Sequence, residues 1–283
     1  MKVYDAHIHF LFKCPSEDIR HTVTFLEGIG LSGFVLIVIA EYPHDNETIL
    51  KMIPKDYHRD VSRQILDKQR NPFPLLSQPS DMEIIMYLDA RYIVNDIQQK
   101  IKMYKGMGFE GLKILYVPEE DVLFRVNGME EAFGRTLKQS EAVTSLLVES
   151  ASSQAMPILL HADLRKYSSF IIDIIKSFPQ AKINIPHFGF SRSCMSKLLD
   201  RFSNCYTDVS SLMSFMRKEP LSYLKFIRKY PDQILFGSDA LIGHPETVES
   251  TLRFFQDICD EQELAEKIFN KNYLEFHKQT LRL

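Results

Sequence analysis

Short runs rich in Val, Ile and Leu recur along the chain, and amphipathic stretches fill the intervals between them. Eight runs read as strands: Val3–His9, Gly33–Ala40, Glu83–Asp89, Gly111–Tyr116, Pro157–His161, Lys182–Pro186, Cys205–Val209 and Ile234–Ser238. Several are apolar at nearly every position, as in FVLIVIA, EIIMYLD and PILLHAD. A strand with no polar side has both faces buried, so the pattern points to a parallel sheet covered by helices. The intervals supply those helices. DIRHTVTFLEGIG carries apolar residues at helical spacing before a Gly stop, and NDIQQKIKMYKGMG repeats the plan. SEAVTSLLVESASSQ, SFIIDIIKSF, CMSKLLDRF and LSYLKFIRKY each precede a later strand. Alternating strands and helices wind through right-handed crossovers. Eight such units predict an α/β fold, a closed (β/α)8 TIM barrel formed as one domain over residues 1–283.

Two connections are long. Residues 42–81, after strand 2, hold a charged helical segment and the Pro-rich piece NPFPLLSQPS, and residues 117–139, after strand 4, hold PEEDVLFRVNGMEEAFGRT. Loops of that length in a compact domain are functional or mobile. No internal repeat or low-complexity linker divides the chain.

Composition narrows the function classes. An apolar fraction of 45% and a charged fraction of 25% suit an ordinary globular protein with a sizeable core. The net charge of -3 gives no electrostatic reason to expect nucleic acid or an anionic membrane as partner. Cys14, Cys194, Cys205 and Cys259 form no Cys-x-x-Cys pair and read as reduced thiols. A single Lys precedes the first strand-like run, which is unlike a signal peptide. The longest apolar run, Phe34 to Ala40, is too short to span a bilayer. The expectation is a cytoplasmic protein acting on a small molecule, with homo-oligomerisation left open.

Candidate chemistry sits at strand ends, because a barrel of this type carries its site on the C-terminal face. Strand 1 ends in His7 and His9, strand 4 in Lys113, strand 5 in His161, strand 6 in His187 and strand 8 in Asp239. Residues i and i+2 of a strand share a face, so His7 and His9 project side by side. One strand-end histidine is ordinarily a satisfied core residue. Four of the chain's nine converging with an Asp on one rim instead make a zinc-type donor set, with His7 and His9 as two ligands of one ion. Arg91, Arg165 and Arg192 follow strands 3, 5 and 6, where a guanidinium can pair a substrate carboxylate. The competing reading makes each a solvated loop charge.

These motifs resemble the amidohydrolase superfamily, particularly the amidohydrolase-2 group that includes aminocarboxymuconate-semialdehyde decarboxylase. The matching stretches are DAHIH, GLKIL, PILLHAD, NIPHFG and LFGSDA in order along the barrel, with AEKIFNKNYLEF, containing Asn272, as a closing helix. The resemblance implies that His7, His9 and Asp239 bind the principal metal and that His161 joins them in a one-metal site. It implies that Asp239 takes a proton from the attacking water and passes it to the leaving group, while His187 orients the water or polarises the substrate. In two-metal relatives a carboxylated lysine at the place of Lys113 bridges the ions, with His161 and His187 on the second. Lys113 is otherwise a structural or substrate-facing ammonium.

The leading expectation is a metal-dependent hydrolase that directs a metal-bound hydroxide at an amide, lactone or ester bond of a small carboxylate-bearing molecule. Zinc is the first expectation for the ion, and the same donors accept Mn, Fe or Co. The alternatives are a nonoxidative decarboxylase or hydratase on the same metal cup, and a non-catalytic metal-binding barrel.

Overall fold

The computed structural model describes residues 1–10, 16–43, 45–55, 58, 81–122, 125–259 and 261–278. The piece NPFPLLSQPS lies outside the described residues, as does most of the connection after strand 2. The strands are β1 (Tyr4–Phe10), β2 (Gly33–Val38), β3 (Glu83–Asp89), β4 (Gly111–Leu115), β5 (Ile158–His161), β6 (Ile183–Ile185), β7 (Cys205–Asp208), β8 (Ile234–Leu235) and β9 (Ala240–Leu241). The helices that carry the argument are α1 (Ser16–Gly28), α2 (Asn46–Lys51), α3 (Ile97–Gly106), α4 (Met129–Phe133), α5 (Leu137–Ser153), α6 (Leu164–Ser177), α7 (Arg192–Leu199), α8 (Met213–Met216), α9 (Pro220–Lys229), α10 (Glu246–Ile258), α11 (Gln262–Glu266) and α12 (Asn272–Phe276). No described helix is long and apolar enough to cross a membrane.

Every strand pairing is parallel, and the order runs β8-β7-β6-β5-β4-β3-β2-β1-β9. β8 and β9 are two pieces of one crossing. β8 pairs with β7, and β9 pairs with β1. Between them the Ala6 amide donates to the Phe236 carbonyl (2.9 Å) and the Asp239 amide to the His7 carbonyl (2.8 Å), which closes the ring. The eighth strand was expected to run unbroken over Ile234–Ser238. It pairs as a strand only over Ile234–Leu235, and a left-handed φ of 61° at Asp239 turns the chain ahead of β9.

The helices form for local reasons that their sequences display. At α5, Thr136 and Gln139 make a reciprocal capping box, with the Gln139 amide donating to Thr136 Oγ1 (3.3 Å) and the Thr136 amide to Gln139 Oε1 (2.8 Å). Its buried residues Ser140, Thr144, Leu147, Val148 and Ala151 recur at three- and four-residue steps, which turns one face to the sheet.

Inside the ring the side chains form a floor and a roof of opposite character. Tyr4, Val35, Ile85, Tyr87, Leu159, Tyr206 and Leu235 fill the floor together with Tyr273 and Phe276 of α12. The Tyr4 and Tyr273 rings stack at 4.5 Å, and the Tyr87 hydroxyl meets His277 Nε2 at 2.8 Å. Asn272 anchors the plug by donating from Nδ2 to the carbonyls of Pro231 (2.7 Å) and Ile234 (2.6 Å). Space for the Tyr87 ring exists because its neighbour across the β3–β4 pairing is Gly111, where any Cβ would overlap the ring. Gly111→Ala should therefore lower stability by about 1–3 kcal/mol through overpacking. A urea titration should show the midpoint falling with the slope unchanged. An unmoved midpoint would mean the ring has room that this packing does not show.

Candidate metal centre and its rim cavity

Two histidines aim into the barrel because β1 carries an extra residue. Its partners run Tyr4↔Gly33 and Asp5↔Phe34, then Ile8↔Leu36 and His9↔Ile37, so three steps on β1 face two on β2. A bulge of this kind re-aims side chains beside a site. Here it allows Tyr4 to serve the floor while His7 and His9 project into the roof. Asp5 pins the bulge, accepting at Oδ1 from the amides of His7 (2.9 Å) and Ser238 (3.1 Å).

His7 Nε2 and His9 Nε2 lie 3.0 Å apart, and Asp239 Oδ1 lies 3.3 Å and 3.2 Å from them. On its other side His7 Nδ1 is 3.1 Å from Asp208 Oδ2. Asp208 is fully buried at the end of β7 and is itself fixed by Asn184 Nδ2 (3.0 Å), the amides of His187 (3.2 Å) and Ser210 (3.1 Å), and the Ser210 hydroxyl. Burial pushes the His7 imidazole down to about 4 and lowers His9 as well, so both are neutral at physiological pH. Burial alone would raise Asp208 and Asp239, but the facing histidines outweigh it and hold both carboxyls below their usual range.

This arrangement fits a divalent ion. With the Nδ1 proton of His7 given to Asp208, its Nε2 offers a lone pair to the same point as His9 Nε2 and the Asp239 carboxylate. At most one proton, on His9, is available among three acceptor atoms, whereas a cation satisfies all three. Ligands about 2.0–2.2 Å from a tetrahedral ion stand about 3.4 Å from one another, close to the 3.0–3.3 Å seen. Among the described residues, His7, His9 and Asp239 are the group placed to hold a metal.

The other expected ligands surround this triad without joining it. His187 opens a 3-10 turn, His187–Phe190, with left-handed φ at His187, Phe188 and Phe190. Left-handed non-glycine residues store strain, and such strain gathers at functional sites. His187 Nδ1 meets the Ser210 carbonyl at 2.9 Å, and its Nε2 lies 3.9 Å from Asp239 Oδ2. The second oxygen of Asp239 also accepts from Ser211 Oγ at 2.7 Å. The His161 and His187 rings meet edge to face at 5.5 Å, and His161 Nε2 faces Asp121 Oδ2 at 3.3 Å. Lys113 is buried in β4; burial draws its amine down to about 8, against the opposing pull of Asp239 and Asp89.

The three arginines part company. Arg91 is not a rim group: its Nε lies 3.0 Å from both Asp89 oxygens, Nη2 lies 2.6 Å from Oδ2, and Nη1 donates to the Met52 carbonyl at 2.9 Å. Its guanidinium is thus engaged inside the protein, and its side chain is 4% exposed. Arg165 and Arg192 instead line a cavity of about 370 Å³ beside His187, with Phe190, Phe215 and Tyr223. Arg192 lies over the Tyr223 ring at 3.7 Å and pairs with Glu219 at 3.2 Å. Arg165 pairs with Asp163 at 2.8 Å and keeps half its side chain exposed. A signal for the internal pairing was present, since Asp89 and Asp163 each stand two residues before their arginine.

Asp208, Asp89 and Asp121 are the site carboxylates that strand-end reading passed over. Asp208 closes β7 as its one charged residue and Asp89 closes β3 after the uncharged run IIMYL, which is the signal that finds them. Asp121 lies in the connection after β4, where no periodicity places it.

Comparisons with known proteins bear on the family and the fold. The amidohydrolase family model matches residues 102–275, well over half of the chain. No curated protein matches the sequence. A candidate 2-pyrone-4,6-dicarboxylic acid hydrolase from Pseudomonas putida superposes with a TM-score of 0.61 at 14% identity, over 99% of both chains. A lactonase from Listeria monocytogenes gives 0.62 at 11% identity, over 96% of this chain and 93% of its own. The phosphotriesterase homology protein from Escherichia coli, with phosphate in its active site, gives 0.60 at 10% identity over 98% of both. Those likenesses are of fold; the family match makes the chain a member of the amidohydrolase family of metal-dependent hydrolases, and His7, His9 and Asp239 are donors that could hold an ion.

Proposed function

We propose that the protein hydrolyses a lactone, amide or related ester bond in a small carboxylate-bearing molecule, using one firmly held ion, zinc in the first instance, at His7, His9 and Asp239. The observation that carries this reading is the convergence of those three donors beside a cavity lined by His187, Arg165 and Arg192. A divalent ion bound there supplies water made acidic near pH 7 and polarises the scissile carbonyl. The similarity in fold to a lactonase and to a candidate pyrone dicarboxylate hydrolase supports the same class of bond.

The chain's own residues divide the remaining work. Asp208 fixes the His7 tautomer and keeps Nε2 on the metal side. Asp239 contributes Oδ1 to the donor set, and Oδ2, steadied by Ser211, is the proton acceptor for the attacking water and the donor to the leaving group. His187, giving its Nδ1 proton to the Ser210 carbonyl, presents Nε2 as an acceptor that orients that water. Lys113 acts as an ammonium that balances Asp89, Asp208 and Asp239. Arg165 and Arg192 take the substrate carboxylate, and the Phe190 and Tyr223 rings wall its apolar part.

Measurements on the wild type and on single variants test this division. Purified wild type should carry about one divalent ion per chain, and Asp208→Asn should weaken its binding about 10–100-fold, as losses around a ligating histidine do. A competitive chelator titration reads this; equal affinity would free His7 from dependence on Asp208. With metal saturating, Asp239→Asn should lower kcat at least about a hundredfold while the fold persists. Near-normal turnover would remove its proton-transfer role. Arg192→Met should raise KM more than tenfold for carboxylates and leave their methyl esters unaffected, since a charge-assisted hydrogen bond contributes about 1.5–3 kcal/mol. Equal effects on both would return Arg192 to a purely structural part. Following CO2 release across the same substrates separates hydrolysis from decarboxylation.

A further inference from the structure

The two arginines of the cavity beside His187 are held by carboxylates of different kinds. Asp163 is the N-cap of α6. Its Oδ1 accepts from the Arg165 amide and from Arg165 Nε, both at 2.9 Å, and its Oδ2 accepts from Arg165 Nη2 at 2.8 Å. That carboxylate is 14% exposed, and its cap bond ties it and Arg165 to the start of the helix. Arg192 is held otherwise. Its guanidinium lies over the Tyr223 ring at 3.7 Å, Nη1 donates to Ser222 Oγ (2.9 Å), and Nη2 donates to Glu219 Oε2 (3.2 Å). Glu219 precedes α9, and among the described residues its side chain makes no cap hydrogen bond to that helix. Pro220 starts the helix instead, and the Glu219 carbonyl accepts from the amides of Ser222 (3.1 Å) and Tyr223 (3.2 Å). The backbone of Glu219 is thus fixed, while its carboxylate, 63% exposed, can turn out into water.

A guanidinium pairs a carboxylate through two parallel donors, either Nη1 with Nη2 or Nε with Nη2. Arg91 and Arg165 use the second arrangement on Asp89 and Asp163. Both arrangements need Nη2, the nitrogen of Arg192 that Glu219 holds. A substrate carboxylate paired with Arg192 therefore brings a second negative group to one nitrogen, and the two repel. Glu219 yields, because water receives it, whereas the incoming anion has Arg165 and the walls of Phe190, Phe215 and Tyr223 to keep it. We propose that Glu219 is an internal competitor of the substrate, which occupies Arg192 in the empty cavity and gives it up to the entering carboxylate. This rests on the assignment of Arg192 to the substrate carboxylate. Ser222 and Tyr223 stay in place through the exchange, so Arg192 keeps its position and one anion replaces another. A carboxylate product then leaves against a partner ready to take its place, and Glu219 sets both the strength and the ease of release of such ligands.

The test is a calorimetric titration of the metal-loaded protein with benzoate and with benzamide, its neutral counterpart, so that no substrate is needed. Arg192→Met should weaken benzoate at least about tenfold, the size of a charge-assisted hydrogen bond, and leave benzamide as it was. Glu219→Gln should tighten benzoate about two- to fivefold, the contribution of one exposed ion pair, without changing benzamide or the circular dichroism spectrum. Glu219→Asp keeps the charge but is one methylene too short to hold Nη2, so it should tighten benzoate as well. Benzoate binding that is unchanged or weaker in Glu219→Gln would overturn the proposal and make Glu219 a support for Arg192. Tightening in Glu219→Gln with wild-type binding in Glu219→Asp would overturn it too, since the effect would then come from the field of the charge and not from the contact. Benzoate bound no better than benzamide, with Arg192→Met indifferent, would instead remove the carboxylate role of Arg192 and, with it, the reading on which this one rests.

Discussion

Everything at the roof depends on closure of the ring between the first strand and the split eighth crossing. The hydrogen bond from the Asp239 amide to the His7 carbonyl joins residues more than two hundred positions apart. It also sets the third donor beside the first two, because Asp239, in its left-handed turn just before β9, brings its carboxylate to His7 and His9. An open sheet with the same eight runs would leave these residues on opposite edges. Barrel closure and site assembly are thus one event.

The electrostatics of the roof follow from that enclosure. Asp89 and Asp208 are held ionised in a buried layer together with Arg91 and Lys113, and Asp239, ionised as well, stands partly buried at its edge. Burying unpaired charge is costly, so each carboxylate needs a partner. Asp89 has Arg91, and Asp208 has His7, Asn184 and Ser210. Asp239 faces two neutral imidazoles, which leaves a negative focus where a divalent ion is wanted. The apolar floor of tyrosines and branched aliphatics beneath gives this focus a low-dielectric base, which strengthens its hold on a cation.

Much of this was legible in the sequence, and what was not has particular causes. The strand runs stood out because helices cover the ring and side chains fill it, which leaves FVLIVIA and PILLHAD no polar face. His7, His9 and Asp239 could be found because charge and imidazole at strand ends are exceptions to that rule. The bulge in β1 and the break before β9 could not, since each is a backbone adjustment fixed by Asp5 and by the φ of Asp239 rather than by side-chain periodicity. Arg91 was read as a rim group because its position after β3 was visible, whereas its bidentate hold on Asp89 is tertiary detail. His161 showed its place at the end of β5 but not its neighbour, because Asp121 comes from a loop whose course is set by ties to α2 and α6.

The plug at the barrel floor has a consequence for how the protein is made. Tyr273, Phe276 and His277 seat against Tyr4, Tyr206 and Tyr87, so the last described helix completes a core begun by the first strand. Chains emerge from the ribosome at about 5–20 residues per second, and their early segments must wait for contacts that lie far downstream. In this barrel β1 to β4 can pair as they appear, but their inward faces stay open to water until the residues around Tyr273 arrive. The nascent barrel is therefore exposed until those residues emerge, and the period of greatest risk from aggregation ends only when the floor is sealed.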